Sequence, residues 1–177
     1  MLGEASRNQF QSDGYFESYL EAINSIGRIN SAHDLSNGIS IKLSALYSKY
    51  DALHEREVKG FLLPRLRDLV VEASLQNVSV TIDAEEQDRL SLSLSIIAEL
   101  ALDPLIKGWP KLGLAVQAYG KRSPQVIDHL AQLVQQRETM HVRLVKGAYW
   151  DHEIKNAQVK GLNGYPVFTN KKLTDIN

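Results

Sequence analysis

Val142-Arg143-Leu144-Val145-Lys146-Gly147-Ala148-Tyr149-Trp150-Asp151 is a short apolar run that carries an arginine and ends on Lys-Gly-Ala-Tyr-Trp. Runs of this length read as buried strands of a parallel sheet. A charge inside such a strand is costly unless it has a partner. Three more segments repeat the pattern. Ile39-Ser40-Ile41-Lys42-Leu43 carries a lysine, and Val78-Ser79-Val80-Thr81-Ile82-Asp83-Ala84-Glu85-Glu86 ends on acids. Val116-Gln117-Ala118-Tyr119 carries one amide. Polar groups at or near the C-terminal ends of four strands are what a βα barrel gathers at its active face.

Helical periodicity fills the intervals. Phe16, Tyr19, Leu20, Ile23 and Ile26 predict a helix over 14–28, and Asn37-Gly38 breaks the chain before the Lys42 strand. A second helix is predicted over 55–76, with Pro64 as a kink or a late start. Leu90 to Ala101 make a third, stopping near Asp103-Pro104. The third strand is predicted over 114–119. Ser123-Pro124 reads as cap and first residue of a fourth helix, and a fifth opens over 150–160. This alternation means parallel strands with right-handed crossovers, in an open doubly wound sheet or a closed barrel. The polar strand ends favour the barrel.

Composition narrows the class. Lys plus Arg total 20 and Asp plus Glu 21, so nothing marks a nucleic-acid surface. The chain has no cysteine, which removes disulfides, thiol nucleophiles and cysteine metal sites. No run approaches the roughly 20 apolar residues of a membrane span, and no signal peptide is visible. The expectation is a soluble, cytoplasmic protein in one structural unit. At 177 residues the chain is short of the roughly 250 of a complete eight-stranded barrel.

Each polar residue has two readings. Lys42 either snorkels to solvent or lines the barrel mouth. Asp83 either caps the next helix or neutralises Lys42 or Arg143. Arg143 is either a structural ion pair facing the helix layer or a charge aimed into the mouth. Gln117 alone reads as a surface amide. Lys146-Gly147-Ala148 is a small-residue turn through which backbone amides can approach a ligand. Tyr149 and Trp150 on their own read as two aromatics packed at a barrel rim. The five histidines show no paired metal-ligand spacing, and no Gly-x-Gly-x-x-Gly fingerprint is present.

Ser40 to Leu46, Ile82 to Glu86, Gln117 to Tyr119 and Arg143 to Asp151 together resemble a known family. It is the FAD-dependent proline dehydrogenase domain of bacterial bifunctional proline utilisation proteins. Met1-Leu2-Gly3-Glu4-Ala5 and Gly161 to Val167 fit the same pattern. The resemblance spans the chain and implies an α/β fold, part of a (βα)8 TIM-type barrel, with strands two to five present. It implies oxidation of L-proline to pyrroline-5-carboxylate by hydride transfer to FAD, with a quinone or other electron acceptor. Asp83 and Arg143 would then be catalytic, and Lys42 and Tyr149 would contact substrate. Ala84, Gln117, Arg143, Val145, Lys146, Gly147, Ala148 and Trp150 would contact the cofactor. No metal is implied. By the same resemblance, residues 1–177 are a partial domain that ends in the helix after the fifth family strand. Alone it would be inactive and would bind flavin weakly or not at all. The longer protein would be cytoplasmic or peripheral to a membrane. The other reading is a non-catalytic half-barrel that self-associates through its open edge strands.

Overall fold

The computed structural model of the protein describes residues 3–176, so Met1-Leu2 of the opening motif lies outside the described residues. Helix α1 (Gln9–His33) is longer than the apolar stripe suggests. The Asn8 side chain caps its start, accepting from the Gln11 N–H at 2.9 Å, and Asp34 ends it in a left-handed turn.

Strand β1 (Gly38–Ile41) stops one residue before Lys42. Lys42 remains extended, but the apolar run then continues as a helical turn, α2 (Leu43–Leu46), whose residues are all buried. The expectation of Lys42 within a strand is corrected by one residue. A 3-10 turn (Ala52–His54) leads into α3 (Glu55–Leu75). Pro64 sits inside α3 and does not delay its start. Pro64 has no N–H to donate to the carbonyl of Gly60, and Gly60 is exposed, so water can serve that oxygen.

Then come β2 (Ser79–Ile82), α4 (Leu90–Ala101), β3 (Leu112–Gln117) and α5 (Ser123–Arg137). Arg122 holds the cap position of α5 and Ser123 is its first helical residue, one place earlier than predicted. Strand β4 (His141–Val145) and α6 (Trp150–Val159) follow. The chain does not stop in α6. Val167 bridges antiparallel to Gly120, and α7 (Lys171–Asp175) comes after it. No helix among the described residues is long and apolar enough to cross a membrane.

The strands are all parallel and lie in chain order, β1-β2-β3-β4. A doubly wound sheet reverses its order at a switch point. This one does not, so the sheet is an arc of a βα barrel. Ile39, Ile41, Val80, Ile82, Leu112, Leu114 and Val116 face the helices and join Ile23, Leu62, Leu66, Leu69, Ile96 and Leu130 in one core. Burial of each such side chain stabilises the fold by about 1.5–3 kcal/mol. The alternate residues form a small and polar inner face of Ser40, Thr81, Gly113, Ala115, Gln117, His141 and Arg143. The prediction of uniformly buried strands fails at β4, where Leu144 is 65 % exposed on the outer face.

Candidate active site

Strand register builds the site in layers across β3. In the lower layer Thr81, Gly113 and His141 lie level on β2, β3 and β4. The His141 ring crosses over Gly113 and its Nε2 meets Thr81 Oγ1 at 2.9 Å. A Cβ on Gly113 would fall 2.0 Å from that ring, so only glycine leaves it room. Burial and the nearby Arg143 charge lower the His141 pKa, which keeps the ring neutral at neutral pH.

The layer above repeats the crossing with charges. Arg143 is level with Ala115 on β3, and its guanidinium passes over that methyl group to Asp83 at the end of β2. Arg143 Nη2 lies 2.5 Å from Asp83 Oδ1, and Nη1 donates to Ser40 Oγ at 2.7 Å. Asp83 is therefore not a helix cap, since α4 begins only at Leu90. The Arg143 side chain is 46 % exposed, which corrects the expectation of a buried charge. It lines an open mouth, and a guanidinium has more N–H groups than its bonds to Asp83 and Ser40 use.

Gln117 occupies the top of β3. It is 4 % exposed, against the surface-amide reading. Its Nε2 donates to the Glu85 carbonyl at 2.8 Å and its Oε1 accepts the Ala148 N–H at 2.9 Å. The amide thus joins the loop after β2 to the turn after β4. Ala84 and Val145 flank these joints, both half-buried.

The turn itself is shaped by Gly147. Its φ of +144 is a region that favours glycine, and a Cβ there would lie 2.5 Å from the Tyr119 ring. Tyr119 Oη accepts the Tyr149 N–H at 3.2 Å, so the same ring supports both sides of the turn. Lys146 projects outward and pairs with Asp175 at 3.4 Å. Trp150 opens α6 and donates from Nε1 to the Phe168 carbonyl at 3.0 Å. Tyr149 has its pKa pushed up to about 12 by burial, then by the negative charges of Glu85, Glu86 and Asp83. Lys42 stands at the other flank. Its N–H donates to Tyr19 Oη at 3.2 Å, and it is not part of the Asp83 pair.

Three groups have roles at the site that the sequence reading did not give them. Ser40 shares Arg143, and only its even spacing from Lys42 marks it as inward-facing. Glu85 has a buried side chain whose Oε1 accepts the Ser44 N–H at 3.0 Å, and burial raises its pKa. Glu153 is buried in α6, and no local signal distinguishes it from an exposed helix acid.

A profile of the proline dehydrogenase family matches residues 1–177. The chain belongs to the proline dehydrogenase family. It is 44 % identical over 180 residues to the bifunctional protein PutA of Escherichia coli K12, covering 100 % of this chain and 14 % of that protein. Proline dehydrogenase 1 of Bacillus subtilis strain 168 is 29 % identical over 148 residues, which are 84 % of this chain and 42 % of that one. A crystal structure of a Bradyrhizobium japonicum Proline Utilization A (PutA) mutant superposes with TM-score 0.94 at 47 % identity. That match covers 99 % of this chain and 18 % of the other. This proline dehydrogenase family chain thus spans about a seventh of the length of the PutA relatives it matches.

Proposed function

We propose that residues 1–177 form part of a catalytic barrel that oxidises L-proline to pyrroline-5-carboxylate, with FAD as the hydride acceptor. The observation that carries this reading is the Arg143–Asp83 pair at the mouth, beside the Lys146-Gly147-Ala148 turn. The donor set suits a flavin. A half-exposed guanidinium offers N–H groups, and Gly147 keeps the backbone of the turn free of a side chain. When bound, the flavin supplies the two-electron chemistry that amino-acid side chains lack.

The chain's own residues bind, orient and polarise. Arg143 places a fixed positive charge where an electron-rich ring is favoured, and Asp83 and Ser40 hold that charge in place. Lys42 supplies an ammonium for the proline carboxylate, and the Tyr149 ring walls the pocket against the acidic loop. Ala84, Gln117, Val145 and Trp150 complete the cofactor side. The electrons pass on to a quinone or another acceptor, in a cytoplasmic or membrane-peripheral protein. The test is stopped-flow mixing of the full-length flavin-loaded protein with proline. Bleaching of the flavin band is expected, and its absence at saturating proline would sink the reading.

A second reading, self-association of the isolated chain, has one observation in its favour. The outer face of β4 leaves Val142 and Leu144 bare on an unpaired edge. Light scattering of the isolated chain and of Leu144→Lys tests it. Oligomers that Leu144→Lys disperses are expected, and a monodisperse parental chain would refute it.

A further inference from the structure

The two halves of the site stand on strands that are not neighbours. Asp83 ends β2 and Arg143 sits on β4, with β3 between them. No sheet ladder holds the 83–89 loop against the turn at 146–149. Side chains do this instead. Gln117 is one strap, as described above. The second lies one turn into α6. Glu153 is 2 % exposed, and its Oε1 accepts the Gln87 N–H at 2.7 Å, across 66 residues of chain. Gln87 is also buried, and its carbonyl accepts from Arg122 Nη2. The 83–89 loop is thus held from β3 by Gln117, from α5 by Arg122 and from α6 by Glu153.

Glu153 is set apart from an ordinary helix carboxylate. Burial raises its pKa, and the acids Asp88 and Glu86 add to the rise. A buried carboxyl carries a desolvation cost that solvent-facing acids avoid, so its place against a loop amide demands a return elsewhere. It follows Trp150 by three residues. Any displacement of Gln87 relative to Glu153 therefore moves the acidic loop against the Tyr149-Trp150 corner.

We propose that Glu153 is a positioning residue for proline oxidation. By holding the Gln87 N–H it fixes the 83–87 segment against the Lys146 to Trp150 turn, and so sets where the Asp83 carboxylate meets Arg143. The kinetic consequence rests on the function proposed above, while the bond itself is readable without substrate.

Three variants of the full-length, flavin-loaded protein test this. Glu153→Gln keeps an acceptor oxygen at the same reach, Glu153→Ala removes it, and Glu153→Asp withdraws the carboxylate by one methylene. Two readouts are needed: amide hydrogen exchange at Gln87 without substrate, and the rate of flavin reduction by proline. Glu153→Ala is expected to speed Gln87 exchange and to lower the reduction rate by about 100-fold at unchanged flavin content, the scale of a 1 Å misplacement. Glu153→Gln is expected to restore both. Should Glu153→Ala not fold, Glu153→Asp is expected to show the same two changes. Parental reduction rates in Glu153→Ala or Glu153→Asp would overturn the proposal, as would Gln87 exchange that none of the variants alters. A parental protein that proline does not bleach would instead refute the proposed function, leaving Gln87 exchange to decide whether Glu153 holds the loop.

Discussion

Ala115 lies level with Arg143 on the adjacent strand, and its single methyl group lets the guanidinium cross β3 to Asp83 on the strand beyond. One layer down, Gly113 gives the same passage to His141 on its way to Thr81. The site is two polar rungs laid across small residues of β3.

Ala115→Leu should therefore separate Arg143 from Asp83. The added bulk meets the guanidinium on the inner face and leaves the helix-side core untouched. Overpacking of this kind costs about 1–3 kcal/mol. The expected result is a folded protein with a flavin reduction rate well below the parental one. Parental kinetics would show that the pair need not cross at this point.

Arg143→Met should lower flavin reduction far more than stability. The pair is half exposed, so its stabilising contribution is about 1 kcal/mol or less. Loss of a preorganised charge at a reacting centre costs on the order of 100-fold to 1000-fold in rate. A parallel fall in the flavin reduction potential is expected in a potentiometric titration. An unchanged potential and rate would make Arg143 a structural residue only.

Gly147→Ala meets two obstacles that separate experimentally. A Cβ at φ +144 costs about 1–3 kcal/mol in backbone strain, and the new methyl group also strikes Tyr119. Denaturant titration should show a loss that Tyr119→Ala in the same chain relieves only in part. Full relief would mean that the ring, and not the backbone, decides this position.

Glu85 should make stability depend on pH in a defined direction. Burial raises its folded pKa above the roughly 4.3 of an unfolded glutamate. Its contribution to stability is thus complete below the unfolded pKa and drains away as pH rises through the folded one. Glu85→Gln keeps an oxygen for the Ser44 N–H and removes the charge. The variant is expected to gain stability over the parent at pH 7 and to lose that advantage by about pH 4. A constant difference across that range would assign the buried group another role.

The alternation of strands and helices, their parallel sense and the candidates at the strand ends are legible in the sequence. These follow from periodicity and from the cost of placing a charge in an apolar run, both local properties. Asp83 was legible as a helix cap or as a partner for Lys42 or Arg143, since each cation is costly in its own strand, and only the resemblance pointed to Arg143. The tertiary structure alone decided what depends on register across distant segments. It showed that Asp83 caps no helix, that Arg143 is half exposed at an open mouth, and that Gln117 is buried with its amide in use at both ends. It also brought Glu153 to Gln87, 66 residues away. A buried helix acid and a solvated one have the same local pattern, and only the fold determines which one loses its water.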